Sequence, residues 1–137
     1  MSPNQVPMYR SEALWQLLRD LRESLPGIQA AVILSIEGLL VEAYPSDDTH
    51  DSHINPTSSP QVAAMASVMA GLSRRTLNRL AQGDLERLMV EGEQGTLLIY
   101  PSGRNFLAVL VEKDIRMAPI ITAMNETAPK IERILEN

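Results

Sequence analysis

Between residues 86 and 112 the chain alternates strand-like runs with tight turns, and this pattern restricts its fold more than any other feature. The runs at 86–91, 96–100 and 106–112 are rich in Leu, Val, Ile and aromatic residues. They are separated by Gly92-Glu93-Gln94-Gly95 and by Pro101-Ser102-Gly103-Arg104-Asn105. Apolar runs bounded by Gly and Pro clusters predict strands. Turns this short cannot carry a parallel crossover, which needs about a dozen residues or more, so neighbouring strands must pair antiparallel.

Upstream, residues 28–36 are apolar apart from Gln29 and Ser35, Glu37-Gly38 turns the chain, and 39–44 continue it. This predicts a hairpin, and the nearly unbroken apolar character of its first run predicts a strand covered on both faces. Three helical segments frame the strands. In the first, Ser11-Glu12 suits a start, with a hydroxyl cap and a carboxylate at the positive end of the dipole. Leu14, Leu17, Leu18, Leu21 and Leu25 recur at helical spacing, and Pro26-Gly27 stops the run. Trp15 lies off this stripe and suggests a second contact. The second helix starts at Ser59-Pro60 and is expected to reach Gln82, with Gly83 ending it. In the third, Met117, Ile120, Ile121, Met124, Ala128, Ile131 and Leu135 form a stripe that Pro129 is expected to kink or split.

The expected order is α-β-β-α-β-β-β-α. The fold class is α/β in the broad sense, an α+β sandwich with one five-stranded, mainly antiparallel sheet and helices on its faces. A chain of 137 residues fits one domain. That domain is placed at 11–137, after a loose arm at 1–10, with a long polar loop at 45–60.

Several chemistries are excluded. Cysteine is absent, which removes thiol catalysis, disulfides and thiolate metal sites. A net charge of −5 and 4% aromatic residues argue against general nucleic-acid or anionic-membrane binding. The only lysines are Lys113 and Lys130, neither in a phosphate-binding loop motif. No nucleophile-elbow, zinc-protease or dinucleotide motif occurs. Neither a leader nor a membrane span is expected, and the expected location is cytoplasmic. Asp47, Asp48, His50, Asp51 and His53 bring oxygen and nitrogen donors together in the polar loop. A divalent metal is one reading. A solvated connector is the other, and is preferred because a metal site needs supporting groups that fix its ligands. No cofactor and no catalytic residue are expected.

The second helix calls for a partner. Residues 61–72 are apolar or small almost all the way round, whereas a helix on one face of a sheet needs only a stripe. Val62, Met65, Met69, Leu72, Thr76 and Leu80 are expected to face the sheet. Ala63, Ala64, Ser67, Val68, Gly71 and Arg75 are then expected to face outward, as a surface for another subunit. Beyond Leu72 the helix turns basic with Arg74, Arg75 and Arg79, and no acid follows until Asp84. These arginines suit either a solvated helix end or contact with an acidic partner or phosphates.

The order of elements, with the stretch Leu88-Met89-Val90-Glu91-Gly92-Glu93-Gln94-Gly95-Thr96-Leu97-Leu98-Ile99-Tyr100-Pro101, resembles the Roadblock family of dynein light chains and their bacterial MglB-like relatives. Leu25-Pro26-Gly27-Ile28, Ile36-Glu37-Gly38-Leu39 and Leu107-Ala108-Val109-Leu110 support the resemblance, which covers about residues 10–136. It implies one helix on one sheet face and two on the other. It also implies a homodimer through helix two and the third strand, which adds Arg87 and Met89 to Ala64, Ser67, Val68 and Gly71. The implied partner is a small Ras-like GTPase, MglA-like, whose GTP hydrolysis a non-enzymatic regulator would modulate at Arg74, Arg75 or Arg79. A purely structural subunit of a motor or scaffold is the alternative. A small-molecule sensor is a third reading, disfavoured because core and interface use up the apolar residues.

Overall fold

The computed structural model describes residues 5–45 and 56–136. The elements run α1 (Gln5–Ser24), β1 (Ile28–Ser35), β2 (Leu40–Tyr44), a 3-10 turn at Pro56–Ser58, α2 (Pro60–Arg79), β3 (Leu88–Glu91), β4 (Gly95–Ser102), β5 (Asn105–Glu112) and α3 (Met117–Leu135). The five strands form one sheet in the order β2-β1-β5-β4-β3. Every pair is antiparallel: the short turns required it of β1–β2, β3–β4 and β4–β5, and β1–β5 is antiparallel as well. The apolar strand β1 is interior, and β2 and β3 are the edges.

Strand alternation sorts the sheet's side chains into two cores. Ile33, Leu98, Leu107 and Val109 meet Leu14, Leu18 and Leu21 of α1 and Ile120, Met124 and Ile131 of α3. On the opposite face Val32, Leu34, Ile99, Phe106 and Ala108 meet Ala63, Ala66 and Ala70 of α2. Thus α2 lies alone on one face, and α1 and α3 share the other.

Some expected boundaries move. Helix α1 begins at Gln5, ahead of Ser11, with Pro7 in its first turn, where a missing N–H costs nothing. Ser11 is therefore not a cap, and its hydroxyl donates to Glu42 Oε2 at 2.8 Å, tying α1 to β2. Trp15 makes the second contact, edge-on to Tyr44 with ring centroids 5.3 Å apart. Helix α2 stops at Arg79 because Ala81 takes a left-handed φ of 55°. The Gln82 N–H then closes back on the Leu77 carbonyl, a helix-ending motif that leaves Gly83 outside it. Strand β4 runs through Pro101, which pairs with Phe106 of β5. Strand β3 starts only at Leu88, opposite Ile99, so β4 is unpaired on that side at Pro101 and a residue without an N–H fits. The polar-loop donors Asp47, Asp48, His50, Asp51 and His53 lie outside the described residues.

Helix α3 is continuous through Pro129, contrary to the expected break. Ala128 and Ile131 on either side of the proline are buried in the core, and the Ser102 hydroxyl donates to the Ala128 carbonyl at 2.7 Å. Packing and this bond hold the helix where the local backbone favours a break. Pro129 itself is exposed. Pro129→Ala is therefore expected to raise stability by about 2 kcal/mol, the roughly 3 of an interior helical proline less about 1 for the freer unfolded chain. The midpoint of urea unfolding measures it, and an unchanged or lower midpoint would contradict the account.

Candidate functional site

Helix α2 is positioned by small residues. Ala63, Ala66, Ser67 and Ala70 are buried, and their spacing makes one helical stripe. Beneath them runs the β1–β2 turn, in which Gly38 has a φ of 88° and a Cβ would lie 3.1 Å from the Ala64 Cα. Such close approach admits only small side chains. The Ser67 hydroxyl donates to the Ile36 carbonyl at 2.6 Å, satisfying a turn acceptor under the helix.

This inverts the expected orientation of α2. Met65 and Leu72 are 58% and 51% exposed instead of facing the sheet, and Leu80 is exposed with them. Ala63 and Ser67 point inward, so Ser67 is removed from the outward set. Ala64 and Val68 are exposed as expected. Gly71 is partly exposed, and an added Cβ there would have nothing within 4 Å. The physical reason is that the gain from burying Met and Leu loses to the closer backbone approach that Ala and Ser permit. The sequence does carry this signal in its run of small residues at 63, 66, 67 and 70, which defines the buried stripe on its own.

The outer face of α2 is consequently a ladder of large apolar side chains, Met65, Val68 and Leu72, one helical turn apart. It runs into Arg75 and Arg79, which with Leu72, Thr76 and Leu80 line a shallow hollow of about 390 Å³. Arg74 does not join them. Its guanidinium stands 4.8 Å above the centre of the Phe106 ring, on the sheet side, where a cation–π contact holds it.

The apolar surface continues on the sheet. Leu88, Val90, Leu97 and Leu110 share the α2 face, and all four are partly exposed, Val90 at the β3 edge by 38%. On the reverse of β3, Met89 packs against the α1–α3 core. Extending the β3–β4 register by one residue places Arg87 opposite Tyr100. Arg87 reaches Glu86 at 3.9 Å in an exposed pair of little energetic weight. Tyr100 is 3% exposed, and among the described residues its hydroxyl makes no geometrically formed hydrogen bond. Burial pushes its pKa above the ordinary 10.0, with Arg87 pulling the other way. At the far edge of the sheet Tyr44 also titrates high, because its hydroxyl donates to Glu23 at 2.9 Å.

Among the described residues no three His, Cys, Asp or Glu side chains converge as a metal site would require. None of their helices is long and apolar enough to cross a membrane.

Comparison with known proteins agrees with this architecture. Residues 14–112 match the Roadblock/LC7 domain model. An uncharacterized protein of Methanocaldococcus jannaschii is 30% identical over 106 residues, covering 77% of this chain and 86% of that relative. The crystal structure of a Roadblock/LC7 domain from Streptomyces avermitilis superposes with a TM-score of 0.78 at 26% identity, covering 90% of this chain and 98% of that one. The gliding protein MglB from Thermus thermophilus also superposes at 0.78, with 12% identity and 93% and 91% coverage, a likeness of fold.

Proposed function

The chain belongs to the Roadblock/LC7 family, and from that premise we propose that it is a non-enzymatic homodimer that binds a small Ras-like GTPase, MglA-like, in the cytoplasm and modulates its GTP hydrolysis. The observation that carries this reading is the outer face of α2, where exposed Met65, Val68 and Leu72 lead into Arg75 and Arg79. Contiguous exposed apolar surface marks association. A charge-free apolar segment suits a second copy, and the cationic end suits an acidic surface.

Self-association uses Ala64, Val68 and Gly71 with Met65 and Leu72 beside them, and extends to the β3 edge at Arg87 and Met89. The dimer then acts by position. It lays its α2 ends and the adjoining loops against the switch segments of the GTPase and biases their ordered arrangement, which controls in-line attack on the γ-phosphate. The chain needs no metal or nucleotide of its own for this role. A pure scaffold would bind the same surface and leave the hydrolysis rate unchanged.

Binding to the GTPase at two salt concentrations tests the contact. Arg75→Glu and Arg79→Glu are each expected to weaken binding about tenfold at low salt, which is about 1.4 kcal/mol. The difference should shrink at high salt, because screening weakens exposed charge pairs. Arg74→Glu, whose side chain lies over Phe106, should act mainly on stability. Unchanged affinity in the first two variants would move the contact to the loops beside α2.

A further inference from the structure

We propose that two copies join along β3 in one specific register, with the two-fold axis through Met89, so that Arg87 of each copy faces Glu91 of the partner subunit. This rests on the homodimer proposed above and fixes what that reading leaves open, which residues meet.

Parity restricts the register. When an edge strand pairs antiparallel with its own copy and both α2 helices stay on one face of the joined sheet, facing side chains must have come from the same face. The axis therefore passes through a residue, because strand side chains alternate with a period of two. The segment Arg87-Leu88-Met89-Val90-Glu91 offers three choices. An axis through Leu88 sets Arg87 against Met89 and Glu86 against Val90. An axis through Val90 sets Met89 against Glu91 and carries Arg87 out to Glu93 in the turn. An axis through Met89 sets Arg87 against Glu91 twice, Leu88 against Val90 twice, and Met89 against itself. Only this last arrangement pairs opposite charges with each other and apolar residues with apolar, and directly opposed pairs set the stability of a sheet junction.

Face and burial agree with it. Met89 packs toward the α1–α3 core, so Arg87 and Glu91, two residues to either side, lie on that same face. Leu88 and the 38%-exposed Val90 lie on the α2 face of the sheet. The sheet junction and the exposed helix face thereby lie on the same side of the sheet.

Tyr100 lies beside the Arg87–Glu91 pair. Its hydroxyl is buried and makes no geometrically formed hydrogen bond among the described residues. Burial raises its pKa, while Arg87, which comes opposite it when the β3–β4 register is extended by one residue, already pulls it down by charge and hydrogen bonding. In the isolated chain Arg87 leans on Glu86 at 3.9 Å. In the joined sheet Tyr100, Arg87 and the partner's Glu91 form one row across three strands. Arg87 has five N–H donors, enough to serve the carboxylate and the Tyr100 hydroxyl oxygen together. Arg87 already acts on Tyr100 within one chain, and the partner's carboxylate completes the row in place of the loose contact with Glu86.

The test is a charge-swap cycle read by sedimentation over a concentration series. The proteins are wild type, Arg87→Glu, Glu91→Arg, the Arg87→Glu/Glu91→Arg double variant, and Arg87→Glu combined with Glu93→Arg. Circular dichroism first establishes that each is folded. Each single swap is expected to raise the dimer Kd about tenfold or more by placing like charges together, and the 87/91 double swap to restore it to within about threefold of wild type. Single swaps that leave Kd unchanged would overturn the register, as would a double swap no better than the singles. Rescue by Glu93→Arg instead would move the axis to Val90. A wild-type chain that stays monomeric at every concentration would overturn the homodimer itself, an outcome distinct from a dimer that fails to be rescued.

Discussion

Substituting Val68 by arginine is expected to convert the dimer into a folded monomer. Val68 is 61% exposed on the outer face of α2 and contributes little to either core, so the domain itself should keep its stability to within about 0.5 kcal/mol. In the dimer the same side chain would place an uncompensated charge inside an apolar junction, at a cost of about 3–5 kcal/mol. That corresponds to a Kd raised by about two to four orders of magnitude. Gly71→Glu should act in the same direction, because nothing within 4 Å opposes a side chain there in the single chain. Light scattering at micromolar concentration reads both. A Val68→Arg protein that remains dimeric would place the junction elsewhere.

Gly38→Val should have the largest effect on the fold. Gly38 holds a φ of 88°, and a Cβ would sit 3.1 Å from the Ala64 Cα. The backbone conformation costs a side-chain-bearing residue about 1–2 kcal/mol. Crowding against the helix backbone, which cannot swing aside as a flexible side chain would, adds about 1–3 kcal/mol. The turn carbonyl of Ile36 accepts from Ser67, so a displaced turn also loses the bond that seats α2. A total loss of about 2–5 kcal/mol is expected, with faster amide exchange along α2 than in α1. Stability within about 0.5 kcal/mol of wild type would mean that α2 is not held by this close approach.

These results bear on what a reader of the sequence alone can see. Apolar runs and short Gly turns made the antiparallel sheet legible, and the leucine spacing of α1 named Leu14, Leu18 and Leu21 as core. Two local rules failed for tertiary reasons. Pro129 was read as a helix breaker, but the helix continues because Ala128 and Ile131 are buried on either side of it. Ser11 was read as a cap, but an earlier helical turn relieves it of that task and Glu42 takes its hydroxyl. The orientation of α2 was misread because size was taken as the guide to burial. The sheet beneath it sets the distance of approach, and at that distance Ala and Ser fit where Met and Leu do not. An exposed apolar face was nonetheless readable, since a helix apolar on all sides exposes one whichever way it turns. Arg87 was read inside the third strand and, through the resemblance, in the subunit interface, whereas it lies one residue ahead of β3. Its relation to Tyr100 depends on the β3–β4 register, which composition does not reveal.

The central claim is that this surface, once dimerised, acts on a small Ras-like GTPase. The most direct measurement is the single-turnover rate of GTP hydrolysis by such a GTPase from the same organism, titrated with this protein. The account predicts a rate that changes with added protein and saturates at the stoichiometry of the dimer complex. A rate that stays constant up to saturating protein would contradict it.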